Sequence, residues 1–193
     1  MDELSRTHVT NVAALRAVAH PLRAMMLGVL RRAGPATATE LARRFGESSG
    51  ATSYHLRQLA RYGFIVEDEE QPSHRERRWR AAAMVTSADN EDFVEDPAGR
   101  QALDAINELQ IGIAARYGRW WRDHRLEFDR AWYGSAGSND MEFRLTPDAT
   151  RRLLDSVIEL GRRLEQEGGD DASAQRVSVF IQAVPVDPEI LPL

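Results

Sequence analysis

The chain of 193 residues contains no cysteine. This absence excludes disulfides, thiolate metal ligands and cysteine nucleophiles together. Lysine is also absent, so all 25 basic residues are arginine, a bias that we attribute to the codon usage of a GC-rich genome. No apolar run approaches the about 18 residues that a membrane-spanning helix needs. The opening MDELSRTHVT lacks the basic and apolar regions of a secretory signal, and we therefore expect a cytoplasmic protein without a membrane segment.

The composition is that of a folded protein, since 42% of the residues are hydrophobic. The charge is unevenly distributed along the chain. Residues 1–83 hold 13 arginines and 9 acidic residues, a net charge of +4, whereas residues 84–193 carry −9. DNA affinity depends on local cationic density, so a total charge of −5 is compatible with DNA binding by the first part of the chain.

The apolar spacing of the first part predicts four consecutive helices. They cover residues 9–19, 21–33, 37–46 and 49–62. Thr37 and Glu40 have the spacing of a capping box at the start of the third helix. Gly46 fits the left-handed position that ends this helix. The third and fourth helices are therefore predicted to be joined by a tight turn.

The fourth helix has two different faces. The inward face is formed by Thr52, Leu56 and Leu59. The outward face carries Gly50, Ser53, Tyr54, Arg57 and Arg61. Gly, Ser and Tyr are mediocre helix formers, but small polar side chains let a helix approach base edges, and arginine binds guanine or phosphate. We interpret the fourth helix as a recognition helix. The alternative is that the third and fourth helices are an ordinary pair of core helices.

Two strands are predicted after the recognition helix, over residues 64–66 and 75–81. The second strand is rich in arginine, and its Trp79 is expected to cover the core. A helix-turn-helix followed by a basic two-stranded ribbon is the order of elements in a winged helix. The acidic run over residues 67–70 is interpreted as a solvated flank of this wing.

The segment ATATELARRFGESSGATSYHLRQLARYGFIVE resembles the winged helix-turn-helix of the arsenical-resistance-repressor (ArsR) type. The preceding AVAHPLRAMMLGVLRRAGP is similar to the lead-in of that family, and the resemblance covers residues 9–83. It implies a homodimer on a palindromic double-stranded DNA site. It also implies base contacts from the early recognition-helix positions and minor-groove or backbone contacts from the wing, residues 74–78.

The predicted DNA-contacting residues lie on the third helix, the recognition helix and the wing. They are Thr37, Arg43, Arg44, Ser49, Gly50, Ser53, Tyr54, Arg57, Arg61, His74, Arg75, Arg77 and Arg78. Metal-sensing members of the family use cysteine pairs, or histidine and carboxylate sets. The five histidines of this chain are far apart in the sequence, so we expect neither a metal nor another cofactor.

The second part of the chain is predicted to begin with a connector, residues 84–97. A long dimerisation helix over residues 98–132 follows, and then a small β-α-β segment with strands at 141–146 and 176–184. The fold class is thus mainly α with small β. We divide the chain into a winged helix-turn-helix domain (1–83), the connector, and a dimerisation or effector segment (98–193).

Aromatic residues cluster along the predicted long helix. They are Tyr117, Trp120, Trp121, Phe128 and Trp132. They could line a pocket for an unknown small effector, or pack in the core and across a dimer, and we favour packing.

These patterns predict a bacterial transcription regulator that binds a specific DNA sequence, with repression as the favoured role. The alternative is a protein-interaction module that keeps the winged fold without binding DNA, which the acidic wing flank and the acidic second half favour slightly. No Gly-x-Ser-x-Gly, phosphate-binding glycine loop or other catalytic set is present, so we do not expect an enzyme.

Overall fold

The structure is a computed structural model that describes residues 6–69, 77–88 and 90–186. The chain forms two compact units, of which the first ends at Arg116 and the second begins at Tyr117. The functional domain limits given above stay a prediction. Among the described residues, no single helix is long and apolar enough to cross a membrane, and only the first two helices taken together, across a bend of 81°, meet that test.

The first unit consists of short helices and two small sheets. Its elements are β1 (Arg6–His8), α1 (Val12–Ala19), α2 (Pro21–Ala33), β2 (Ala36–Thr37), α3 (Ala38–Phe45), α4 (Ser49–Arg61), β3 (Ile65–Glu67), β4 (Arg78–Ala81), β5 (Val85–Ser87) and the beginning of α5 (Pro97–His124). One sheet has the antiparallel order β2-β4-β3, with Ile65 opposite Ala81 and Ala36 opposite Trp79. The other sheet is the parallel pair β1-β5.

The first helix begins three residues later than predicted. Asn11 is its N-cap, and the side-chain oxygen of Asn11 accepts the amide of Ala14 at 2.8 Å. Val9 is buried in extended chain instead, where its amide donates to the Ser87 carbonyl at 2.8 Å. The apolar side chain of Val9 fits a helical period, but the cap decides where the helix begins.

The core of the first unit is closed by side chains from all four short helices and from the strands. The largest fully buried ones are Leu15, Met26, Leu41, Leu56, Leu59, Phe64, Ile65 and Phe93. Trp79 on β4 covers this core as predicted and is 7% exposed. Phe93 lies in the segment 84–97, which we predicted as a connector. That segment contains β5, a 3-10 turn (Asn90–Phe93) and a buried core residue.

A half-buried arginine joins α2 to the chain around β5. The guanidinium of Arg31 donates to the carbonyl of Ala83 at 2.9 Å and to the hydroxyl of Thr86 at 2.6 Å. Burial lowers the pKa of Arg31 to about 10, which leaves the group charged at neutral pH. Both acceptors are neutral, so Arg31 orders the chain that follows the wing through hydrogen bonds and forms no ion pair with any residue that the structure describes.

The second unit contains the end of α5, a 3-10 turn (Arg125–Glu127), α6 (Ala131–Ser135) and α7 (Pro147–Gly168). The prediction of one helix to residue 132 was wrong, since α5 ends at His124. The backbone is extended at Phe128, and the Asp129 carboxylate accepts the amide of Ala131 at 2.9 Å. This local side-chain bond of Asp129 precedes a new short helix, whose N-cap residue Arg130 makes no side-chain capping bond. The break interrupts the helix although the apolar spacing continues across it.

Of the three elements predicted for the β-α-β segment, the structure contains only the helix, α7. Thr146 caps α7 by accepting the Ala149 amide at 3.2 Å, and Pro147 occupies the first turn. The predicted strands at 141–146 and 176–184 were wrong, because both segments lie outside any sheet. Alternation decides which side chains share a face, but a strand also needs a second edge to bond to. Met141 and Val179 remain 77% and 67% exposed.

Candidate nucleic-acid interface

The helix-turn-helix of α3 and α4 is defined by caps at both ends of its turn. The capping box is complete, since the Glu40 amide donates to Thr37 Oγ1 at 3.2 Å and the Thr37 amide donates to Glu40 Oε2 at 2.7 Å. Gly46 ends α3 at φ 68°, which a side chain would strain. Ser48 then caps α4 by accepting the Ala51 amide at 3.2 Å. These local bonds fix the angle at which α4 leaves α3.

Thr37 caps α3 as the predicted capping box requires, and it is buried. Contact of Thr37 with DNA stays a prediction. The bond from the Thr37 amide is the largest cause of a lowered pKa of the Glu40 carboxyl. This contribution to stability is present above the ordinary pKa of 4.5 and is lost as the pH falls through the lower value of the folded state. Thr37 therefore positions the helix-turn-helix.

The two faces of α4 are those predicted from the sequence. Thr52, Leu56 and Leu59 are completely buried. On the outward side, Gly50, Arg57 and Arg61 are exposed, as is Ser49 in the first turn. Tyr54 is 52% exposed although it is a large aromatic residue, while Ser53 is half-buried. The helix thus presents small groups near its N-terminus and arginines further along, and their contact with DNA stays a prediction.

Four exposed arginines of the helix-turn-helix form no ion pair with a carboxylate of the described residues. Arg43 and Arg44 lie in the last turn of α3, and Arg57 and Arg61 lie on α4. In the described ranges, none of these guanidinium groups is within salt-bridge distance of a carboxylate. Arg61 lies over the ring of Tyr62 at 5.8 Å. Their charge is therefore available to an anionic partner.

The wing arginines differ, because the acidic run forms ion pairs with Arg77, which precedes β4, and with Arg80 on β4. Arg77 lies 3.1 Å from Glu67, and Arg80 lies 3.8 Å from Glu69. Exposed pairs of this kind contribute about 0–1 kcal/mol, so a phosphate can replace the carboxylate. The predicted wing residues His74 and Arg75 lie outside the described residues.

Arg78 has a structural role in the wing. It is half-buried, and its guanidinium donates to the carbonyl of Pro35 at 2.7 Å. The Asp68 carboxylate lies 4.0 Å from Nε of the same guanidinium. β2 and β4 also pair at this position, with Thr37 opposite Arg78. Arg78 thereby connects the wing to the start of α3, so the structure gives it a bracing role that the sequence did not indicate.

The structure brings His20 and His55 together, which the sequence did not predict. Their ring centroids are 4.7 Å apart, although 34 residues separate them in the chain. No spacing rule connects a residue before α2 with one in the middle of α4. Among the described residues, no three His, Asp or Glu side chains form a group that could hold a metal ion.

The aromatic residues described in the second unit form separate contacts and not a single cluster. Phe128 contacts both Trp120 and Trp121, with ring centroids 5.9 and 5.4 Å apart. Phe128 and Trp132 line an open recess of about 600 Å³, whereas Tyr117 contacts Phe180 at 5.2 Å. Effector binding and dimer contacts at these residues stay predictions.

The comparison with protein families identifies the class of the first unit. Residues 18–68 match the family model of a helix-turn-helix domain. That family belongs to the clan of ArsR-like helix-turn-helix domains. The match includes α2, α3, α4 and β3, and thus the turn and exposed face described above. The comparison with curated proteins gave no match.

The chain thus contains a helix-turn-helix domain of the DNA-binding type, with a small antiparallel sheet in the place of a wing. Such a domain indicates a regulator rather than an enzyme.

Proposed function

We propose that the protein is a cytoplasmic bacterial transcription regulator that binds a specific palindromic DNA site as a homodimer, with repression as the favoured role. The observation that supports this most is the outward face of α4, with its small residues, its exposed tyrosine and its two arginines, which form no ion pair with a described carboxylate. A surface helix selected for stability alone would carry better helix formers at these positions.

The dimensions of α4 suit the major groove. A helix of 13 residues is about 20 Å long, and the groove, about 12 Å wide, admits an α-helix. Ser49 and Gly50 would let the first turn approach base edges closely. Ser53 and Tyr54 would face bases next to them, while Arg57 and Arg61 would reach guanine or adjacent phosphates.

The remaining contacts in this proposal are with the DNA backbone. Arg43 and Arg44, at the end of α3, would bind phosphates beside the groove. On the wing, Arg77 would bind a flanking phosphate after releasing Glu67, and His74 and Arg75 would complete this group. Thr37 and Arg78 support the interface from within, through the cap of α3 and the brace of β4.

The homodimer is supported by apolar side chains that the chain leaves uncovered. In the second unit, Trp120, Phe143 and Leu164 are 47%, 59% and 55% exposed. Burying such surface between two copies is the usual way to stabilise it. Two-fold symmetry would then place the half-sites one helical turn apart, about 34–36 Å.

The second candidate is a protein-interaction module that keeps the fold without binding DNA. It is favoured by the ion pairs of Arg77 and Arg80 with Glu67 and Glu69, because these reduce the positive field of the wing. The free arginines of α3 and α4 favour the DNA-binding proposal over this alternative.

Selection of sites from random duplex DNA with the purified full chain tests the proposal. We expect an enriched sequence with two inverted half-sites. Its affinity should fall steeply with salt, since each phosphate contact releases about one counterion. A protein without measurable affinity for the random pool at low salt would instead be the interaction module.

A further inference from the structure

A small movement of the His20 side chain would be transmitted to the recognition helix, because the two are in contact. It lies between α1 and α2 in extended backbone and is the N-cap residue of α2, but its side chain makes no capping bond. The imidazole instead packs on His55 of α4 at 4.7 Å, with the two planes tilted by 41°. This contact joins the α1–α2 corner to the flank of the helix whose outer face carries Tyr54 and Arg57.

The environment of His55 suits only a neutral ring. Its Nδ1 atom is buried and has no hydrogen-bond partner in the described part of the chain. A neutral imidazole can leave one nitrogen as a bare acceptor, whereas a protonated one carries an N–H on both nitrogens. Protonation would therefore place a donor at Nδ1 where no acceptor is available, and the ring would have to turn outward or admit water.

A permanently charged group, Arg23, faces the neutral pair. The guanidinium of Arg23, on α2, donates to the carbonyls of Ala17 and Arg16, so these bonds leave its charge uncompensated. Burial, and then Arg23, lower the pKa of both His20 and His55, whereas Glu47 acts in the opposite direction on His55. In the part of the chain that the structure describes, Tyr54, Tyr62, Arg16 and Asp96 also lie near the histidines or Arg23.

We propose that His20 is a positioning residue for the recognition helix: its neutral ring supports His55 and holds α4 in the DNA-binding position, and protonation of the pair opens the contact. Either ring, once charged, lies beside Arg23 and a second imidazole. Mild acidification thus loosens the packing of α4 on the α1–α2 corner and lowers the affinity of the protein for DNA. Only this last consequence rests on the proposed function.

The direction of the effect follows from proton linkage. A histidine whose pKa is lower in the folded than in the unfolded protein binds fewer protons when folded. The stabilising contribution of the pair is therefore complete above the ordinary value of 6.5. It is lost as the pH falls below 6.5 and through the lower pKa values of the folded state.

The experiment uses the full chain and three single variants. His20→Phe and His55→Phe keep an aromatic ring in place but remove the titrating nitrogens. His124→Phe makes the same exchange in the second unit, where His124 stacks on Trp120, and serves as the matched control. Ring-proton NMR gives the titration midpoints, and thermal unfolding between pH 7.5 and 5.5 gives the stability, both without DNA.

We expect the rings of His20 and His55 to titrate below 6.5, and the unfolding temperature of the wild type to fall on acidification. The fall should be clearly smaller in the two Phe variants and unchanged in His124→Phe. Titration of His55 at or above 6.5, or the same loss of stability in all variants, overturns the proposal, whatever the protein does with DNA.

Affinity for a duplex selected from the random pool is the second measurement. We expect the DNA affinity of the wild type to fall from pH 7.5 to 5.5, and to fall much less for His20→Phe. Binding that strengthens on acidification, with His55→Phe abolishing the gain, would show that His55 is a phosphate ligand and that the positioning role is wrong.

Discussion

The two units of this protein bury their apolar residues very differently. The first unit closes a core around Leu15, Leu56 and Leu59, all at 0% exposure. In the second unit, no described residue from Tyr117 to Val186 is buried. Yet α7 has a clear apolar stripe, and Leu153 and Leu160 on it remain 37% and 43% exposed. A good helical pattern therefore does not by itself provide something to pack against.

The difference separates two kinds of sequence information. In the first unit, caps, turns and apolar faces agree and can be satisfied within about a hundred residues. In the second unit, the faces are equally apolar, but one copy of the chain leaves them uncovered. We interpret the first unit as the independently stable DNA-binding part and the second as a part completed by association.

The largest expected effect compares a buried with an exposed leucine. Leu59→Ala should destabilise the first unit by about 2–5 kcal/mol, because it opens a cavity in a closed core. Leu160→Ala on α7 is the matched control and should change the stability of the first unit by less than about 0.5 kcal/mol. Hydrogen exchange of the slowest α4 amides measures both. Equal losses in the two variants would contradict the division into a closed and an open unit.

The next prediction tests whether association covers the open unit. Trp120→Ala should weaken self-association at least tenfold, because a large aromatic residue central to an interface contributes about 2 kcal/mol or more. Arg119→Ala, at the neighbouring exposed position, should have little effect. Sedimentation equilibrium gives the dissociation constants, and a wild-type protein that is monomeric at all concentrations would remove the homodimer from the account.

A third comparison concerns arginines in the two units. Arg57→Ala should weaken binding to a selected duplex by about 1–3 kcal/mol, since it removes a charged contact in or beside the groove. Arg119→Ala keeps the helix-turn-helix intact and should leave the affinity within about twofold, as expected for a site away from the interface. Fluorescence anisotropy at constant salt measures both, and an unchanged affinity of Arg57→Ala would show that α4 is wrongly placed.

The smallest effect compares two threonine caps. Thr37→Ala removes half of the capping box of α3 and should destabilise the first unit by about 1 kcal/mol. Thr146→Ala removes the same kind of cap from α7 and should only fray that helix, without altering the first unit. Urea unfolding followed by circular dichroism measures the stability of the first unit, and the residual helicity measures the fraying of α7. A larger loss of first-unit stability in Thr146→Ala than in Thr37→Ala would contradict the roles given to these caps.

The features that could be predicted from the sequence are those that nearby residues decide. Thr37, Glu40 and Gly46 fix both ends of α3 through bonds within one turn, and the period of Thr52, Leu56 and Leu59 fixes the inner face of α4. Trp79 could be assigned to the core because it is the one large apolar residue of the arginine-rich return strand.

Features that depend on distant partners could not be predicted. The pairing of β1 with β5, the bonds of Arg31 and the His20–His55 contact each join segments that no sequence period relates. The strands predicted at 141–146 and 176–184 failed for the same reason, since their alternation specified a face but no partner edge. The ion pairs of Arg77 and Arg80 depend likewise on how β3 and β4 align.

The most direct test of the central claim maps α4 on DNA. Because the chain has no cysteine, Ser53→Cys provides a single attachment point on α4 for a DNA-cleaving iron chelate. Ser156→Cys on α7 is the matched control. With the duplex selected from the random pool, we predict cuts centred in each half-site from the Ser53 position and none there from the Ser156 position. Efficient binding of both derivatives with no cleavage inside the half-sites would show that α4 is not the helix that enters the groove.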